Sequence, residues 1–196
     1  MNNYPEYAEV DGKTYKINTD FRVAIECNRI AEDSSIGDYE RAMAIVYILF
    51  GEEALNTPEH QEKLLKIALK FLACGKEVEG KDNKEQPDMD FIQDMDYIEA
   101  SFMSDFHIDL ANTKMHWWKF FNLINGLSNS ELGNCCILNR IRNLRNYDLS
   151  QIKDNKERQK MAKAKEQVAL KKYKKEYNLT KEQEESMERL NKILGL

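Results

Sequence analysis

The chain has 196 residues and a net charge of -5, with 32% charged and 42% hydrophobic residues and a mean hydropathy of -0.68. That balance suits one domain, or one domain with an appendage, and Gly 8 with Pro 3 disfavours a loop-rich or all-β design. The longest apolar run, Ala42 to Phe50, is far short of the roughly 20 residues a membrane span needs, and Met1 to Glu6 has neither the basic region nor the apolar core of a signal peptide, so a cytoplasmic protein is expected.

Asp11-Gly12 lies between two short alternating segments, Tyr7 to Val10 and Lys13 to Ile17, and predicts a β-hairpin. Asn18-Thr19-Asp20 supplies capping chemistry for a first helix over Phe21 to Ala31. Ser34, Ser35 and Gly37 break the chain before a second helix, Asp38 to Phe50, which is apolar on all sides and is expected to be the most buried. Thr57-Pro58 starts a third helix carrying Leu64, Leu65, Ala68, Phe71 and Leu72 and ending at Gly75; its His60 is read as a surface residue. The polar stretch at about 76–88 reads as a flexible loop.

A fourth helix is predicted from about Asp90 to Phe106, where Phe91, Met95, Ile98 and Phe102 recur at helical spacing. A fifth runs from Met115 to Asn125 and a sixth from about Ser130 to Tyr147. The tail reads as two polar helices, about Asp154 to Tyr177 and Thr180 to Leu194, whose narrow apolar stripes (Met161, Ala164 and Val168; then Met187, Leu190 and Leu194) suit packing on a partner or a neighbouring subunit. The expected fold is mostly α: a multi-helix bundle with a short N-terminal β-hairpin and extended C-terminal helices. Residues 1–150 form the body and 151–196 a basic helical tail extension.

Little here points to catalysis. His60, His107 and His116 are the only histidines, and no Gly-x-Ser-x-Gly elbow, His-Glu-x-x-His pair or Gly-rich phosphate loop is present. No enzyme activity and no cofactor are expected. Cys27, Cys74, Cys135 and Cys136 lack Cys-x-x-Cys spacing and read as packing residues, with a zinc site as a weaker alternative. The carboxylates of Asp88, Asp90, Asp94 and Asp96 read as acids at a helix N-terminus, since the spacing and turning glycine of a calcium loop are missing.

From Lys153 to Lys175 bases outnumber acids, so the rest of the chain is more acidic than the total. A basic helical tail on an acidic body points to intermolecular docking or nucleic-acid contact. Arg140, Arg142 and Arg145 extend that basic character, but without a helix-turn-helix spacing or an aromatic platform a protein-docking or solvated face is the stronger reading.

His116-Trp117-Trp118-Lys119-Phe120-Phe121 holds both tryptophans. Trp117, Phe120, Phe121 and Ile124 follow i, i+3, i+4, i+7 and form a core-facing stripe. Trp118 sits at its edge, toward Lys119, with core and partner-contact roles both open. Candidate partner-contact residues are therefore Trp118, Lys119, Arg140, Arg142, Arg145, Met161, Val168, Met187 and Leu190.

Several segments together carry a family resemblance: Asp96-Tyr97-Ile98-Glu99-Ala100-Ser101-Phe102, Phe106-His107-Ile108-Asp109-Leu110, Met115-His116-Trp117-Trp118-Lys119-Phe120, Leu127-Ser128, Arg140-Ile141-Arg142 with Tyr147-Asp148, and the Lys-rich stretch from Lys156 to Leu170. With Tyr15 to Arg22, they make the chain, up to about Leu170, resemble the bacteriophage gene-product-fifteen family of tailed phages and prophages of Gram-positive bacteria. The resemblance implies a tail assembly chaperone in the host cytoplasm, helical and non-enzymatic. Such a protein coats the tape measure protein and holds it soluble until tail tube subunits polymerise. Expected partners are the tape measure protein, further copies of the chain and the tail tube protein, with no membrane and no nucleic acid. The alternatives are a structural tail protein kept in the virion and a nucleic-acid-binding regulator.

Overall fold

A computed structural model describes residues 4–76, 87–129 and 135–171. These form a mostly helical protein with one short N-terminal antiparallel hairpin. Strands β1 (Tyr7–Val10) and β2 (Lys13–Lys16) pair with Val10 opposite Lys13 and Tyr7 opposite Lys16. Asp11 and Gly12 at the turn both have positive φ, 51° and 77°. Two adjacent left-handed residues make the tight turn whose twist matches the strands, and Asp-Gly tolerates it best. Ala8, Val10, Tyr15 and Ile17 point inward.

Helix α1 (Phe21–Ala31) starts where the Asp20 carboxylate accepts the Arg22 backbone N–H at 3.0 Å. Helices α2 (Asp38–Phe50), α3 (Glu52–Leu55) and α4 (Pro58–Leu72) follow, and α2 packs against α1, α3 and α4. The expectation that α2 is the most deeply buried helix is corrected: α1 buries Phe21, Ala24, Ile25, Cys27 and Ile30, whereas Tyr47 of α2 is 50% exposed. α2 covers one side of the core and leaves its own outer side to solvent. The short α3 falls between two predicted helices and carries no helical period of its own.

His60 is also corrected. It lies in the first turn of α4, but the hairpin closes over it. The residue is 8% exposed, and its Nδ1 is 2.8 Å from the buried Tyr15 hydroxyl. Thr57 precedes Pro58 as expected, but its hydroxyl donates to the Glu53 carbonyl rather than capping α4.

Helix α5 covers Met95–Phe106, later than the predicted start at Asp90. The Asp90 carboxylate accepts the Ile92 and Gln93 backbone N–H groups at 2.8 and 2.7 Å, holding residues 91–94 as a separate turn. Helix α6 is Trp117–Asn125 and α7 is Ile137–Asn146, shorter than the span predicted from about Ser130, of which residues 130–134 lie outside those described. A single 3-10 turn at Leu149–Gln151 leads to α8 (Asn155–Gln167), opened by the Asp154 carboxylate accepting the Glu157 N–H at 2.8 Å. The second predicted tail helix, from Thr180, falls outside the described residues.

Phe120 is the hub of the core. It stacks on Phe21 of α1 (4.4 Å between ring centres) and on Phe102 of α5 (5.2 Å), with Trp117 beside it at 5.8 Å. The carboxyl-terminal helices are joined to this core by buried polar groups. Ser101 of α5 accepts the Leu138 N–H at 3.1 Å while its hydroxyl donates to the Tyr97 carbonyl at 2.7 Å. The Asn139 side-chain amide donates to the Leu127 and Ser128 carbonyls, both at 3.2 Å, fixing α7 against the end of the α6 segment.

Arg145 of α7 closes the assembly. Its guanidinium makes a two-pronged ion pair with Asp94, at 2.6 and 2.7 Å, where Asp94 is wholly buried. The same group donates to the Asp88 carbonyl at 2.9 Å and, through Nε, to the Val168 carbonyl at the end of α8 at 2.6 Å. Every charged atom of the pair thus has a partner, which is the condition for burying charge. Arg145→Ala, which strands the Asp94 carboxylate, should cost about 3–5 kcal/mol, read as a lower urea midpoint at unchanged slope. Replacing both members with apolar residues, Asp94→Leu with Arg145→Met, removes the stranded charge but leaves the Asp88 and Val168 carbonyls and the Asp90 N–H without these partners, and should recover only part of that loss.

Candidate interaction surface

The aromatic cluster is first a structural junction. The segments entering α1 and α6 cross as an isolated antiparallel bridge between Asp20 and His116. The Trp117 N–H donates to the Thr19 carbonyl at 2.7 Å, and the Phe21 N–H donates to the Met115 carbonyl at 3.0 Å. His116 caps α6, its Nδ1 accepting the Trp118 N–H at 3.1 Å, while its Nε2 lies 3.0 Å from the Pro5 carbonyl. A backbone N–H can only donate and a carbonyl can only accept, so this pair of contacts selects the neutral ring protonated at Nε2.

Both indoles finish α4. The last carbonyls of a helix have no partner within it. Trp117 Nε1 donates to the Leu72 carbonyl at 3.0 Å, and Trp118 Nε1 donates to the Phe71 carbonyl at 2.8 Å. Trp117 is 1% exposed, whereas Trp118 is half-buried, lying over Phe71 and against Tyr4. Gly75 (φ +80°) passes beneath it; a Cβ there would lie 2.9 Å from the Trp118 ring. Trp118 therefore has a structural task whichever partner meets its outer edge.

The other candidate contact residues fall into separate regions. Lys119 and Arg140 are exposed. Arg142 pairs with Asp88 at 3.1 Å, and Arg145 is engaged in the buried clamp, so neither guanidinium is free. The reading of Arg145 as part of a docking or solvated face is corrected: its side chain is 7% exposed. Met161 and Val168 are half-buried along the side of α8 that faces α7 and the 3-10 turn. Met187 and Leu190 lie outside the described residues.

Two apolar surfaces emerge that the sequence reading did not single out. The first is the outer side of α2. Tyr39 is 68% and Tyr47 50% exposed, with half-buried Met43 between them at i+4 and Ile36 just ahead of the helix. The helix carries two sides: Ile45, Val46, Leu49 and Phe50 are buried in the core with Met43, Ala44 and Ile48 packed against it, while Tyr39 and Tyr47 stand away from it. That double period was visible in the sequence as a helix apolar all round. The second, apolar on one side only, is a cavity of about 570 Å³ between the end of α1 and α6, lined by Ile25, Leu72, Phe91 and Trp117 and by the polar Asn28, Arg29 and Asp90.

Burial pushes the Cys27 thiol up to about 12 and the Cys74 thiol up to about 11, so both stay protonated and weakly nucleophilic at neutral pH. Among the described residues no three His, Cys, Asp or Glu side chains come together as a metal site, and no helix is long and apolar enough to cross a membrane.

Residues 1–170 match the family model described as Bacteriophage Gp15 protein. No curated protein matches the chain, and no solved structure does.

The junction makes two measurable demands. Trp118→Phe keeps an aromatic ring but removes the indole donor to the Phe71 carbonyl, which is left with the Cys74 N–H at 3.0 Å, and should cost about 1 kcal/mol in denaturant unfolding. Gly75→Ala forces a Cβ into the left-handed region against Trp118 and should cost about 1–3 kcal/mol, with near-ultraviolet circular dichroism reporting the displaced indole.

Proposed function

We propose that this chain, which belongs to the bacteriophage Gp15 protein family and is on that ground a phage structural or assembly protein, is a tail assembly chaperone for the tape measure protein. It acts in the host cytoplasm by binding alone, without catalysis. The family resemblance implies a tape measure protein that is hydrophobic and helical and has to be held soluble until the tail tube forms around it. A holder for such a protein needs apolar surface that stays exposed on a soluble body.

The observation that carries this reading is the outer side of α2. Tyr39 and Tyr47 stand out from a helix that is already anchored through its opposite stripe, so the exposed rings are not required for folding. Aromatic side chains of this kind give large contact area at low entropic cost, and their hydroxyls stay satisfied by water when no partner is present. Trp118 and Lys119, at the rim of the aromatic junction, are proposed as secondary contacts.

The test is co-expression of the chain with the tape measure protein of the same phage, followed by centrifugation and pull-down. The tape measure protein should move from the pellet to the soluble fraction and be retained with the chain. Tyr39→Glu with Tyr47→Glu should reduce that soluble fraction severalfold while leaving stability within about 0.5 kcal/mol, as exposed substitutions do. Equal solubility with and without the chain overturns the proposal. Recovery of the chain as a stoichiometric part of purified particles would assign it to the virion structure instead.

A further inference from the structure

The outward side of α8 has no explanation in the fold. Lys156, Lys160 and Lys163 recur at i, i+4 and i+7, with Lys153 just ahead of the cap, and all four are exposed. None makes a hydrogen bond or an ion pair among the described residues. The opposite side, with Met161, Ala164 and Val168, is the half-buried one. Like charges three and four residues apart oppose helix formation, and Glu157 and Glu166, three residues from Lys160 and Lys163, offset that repulsion only in part. A facing anionic surface would remove that repulsion.

The composition of the chain says which surface fits. Residues 153–175 hold ten Lys and Arg against three Asp and Glu; with 29 and 34 in the whole chain, the remainder holds 19 against 31. A tail of +7 is thus joined to a remainder of -12. A polyanion such as nucleic acid would be repelled by most of the molecule, whereas a second copy presents the complementary charge.

Helix α5 offers an acceptor. Asp96 and Glu99 are exposed on its outer side and hold no partner among the described residues, and the exposed Met103 continues that side. The apolar stems of lysines pack well beside such a residue while the ammonium groups reach carboxylates. Donor and acceptor belong to one fixed unit, because Arg145 holds Asp94 ahead of α5 and the Val168 carbonyl at the end of α8 together. A two-fold dimer would pair α8 of each copy with α5 of the other, so that the same contact is made twice.

We propose that the lysine face of α8 docks on the Asp96–Glu99–Met103 face of α5 in a second copy of this chain, reciprocally. The proposal does not depend on the chaperone reading: assembly without any effect on tape measure solubility would sustain the one and overturn the other.

The experiment is sedimentation velocity of the full chain in increasing NaCl. A dimer should form at low salt and dissociate as the screening length falls below about 10 Å above 0.1 M. Lys156→Glu with Lys160→Glu and Lys163→Glu should raise the dissociation constant at least tenfold, and so should Asp96→Lys with Glu99→Lys. An equimolar mixture of the two variants restores opposite charge at both contacts and should dimerise again. Circular dichroism checks each variant, and Lys→Gln at the same three positions serves if the reversal unfolds α8. A monomer at every salt concentration, a dimer indifferent to both reversals, failure of the mixture to associate, or a lysine face that instead retains a single-stranded oligonucleotide would each overturn the proposal.

Discussion

Two helix N-termini are hydrogen-bonded to each other across a single antiparallel bridge, and most of the core hangs from that junction. Thr19 and Met115 carbonyls receive the N–H groups of Trp117 and Phe21, so the first residues of α1 and α6 cannot move apart. Phe21 and Phe120 then stack at 4.4 Å, and Phe102 of α5 completes the stack. His116 extends the junction to the chain's N-terminal segment through Pro5, and the two indoles extend it to the end of α4. One short segment therefore satisfies orphan donors at the start of one helix and donates to the last two carbonyls of another. The tryptophans suit this task because each couples a large apolar ring to one donor.

The carboxyl-terminal half is held differently, by polar groups taken out of water. Ser101, Asn139 and the Asp94–Arg145 pair each link segments that are distant in sequence, and each has its hydrogen-bonding capacity engaged. Burying a charge is tolerable only when geometry and additional bonds compensate the lost hydration. The price is offset here by a bidentate pair and by two carbonyls that would otherwise lack donors. Such a clamp specifies one arrangement of α5, α7 and α8, since any slippage strands a charge.

With the interior accounted for in this way, the surface features stand apart from it. The tyrosines of α2 and the lysines of α8 lie on opposite sides of helices whose inner stripes already hold them in place. One surface is apolar with polar tips and the other is a dense row of cations, so they fit different kinds of partner. A phage structural or assembly protein has use for both as contact surfaces. Burial raises the thiol pKa values of Cys27 and Cys74 and leaves these sulfurs as packing atoms.

Local features were legible in the residue order. Asp11-Gly12 set the hairpin, Asp20 the start of α1, Pro58 the start of α4, and the Trp117, Phe120 and Ile124 spacing the inner side of α6. Each depends on neighbours within one or two turns, so period and capping chemistry suffice. The family, too, was readable in the chain's own motifs through about residue 170. The long-range pairings were not. His60 meets Tyr15 across 45 positions, the indoles meet α4 carbonyls across 45 and 47, and Arg145 meets Asp94 across 51. A histidine in a polar first turn, an edge tryptophan and an arginine among arginines each carry the same local signature whether solvated or buried. Only the packing of distant segments decides which side chains lose their water, and that loss determines where a polar group must find its partner.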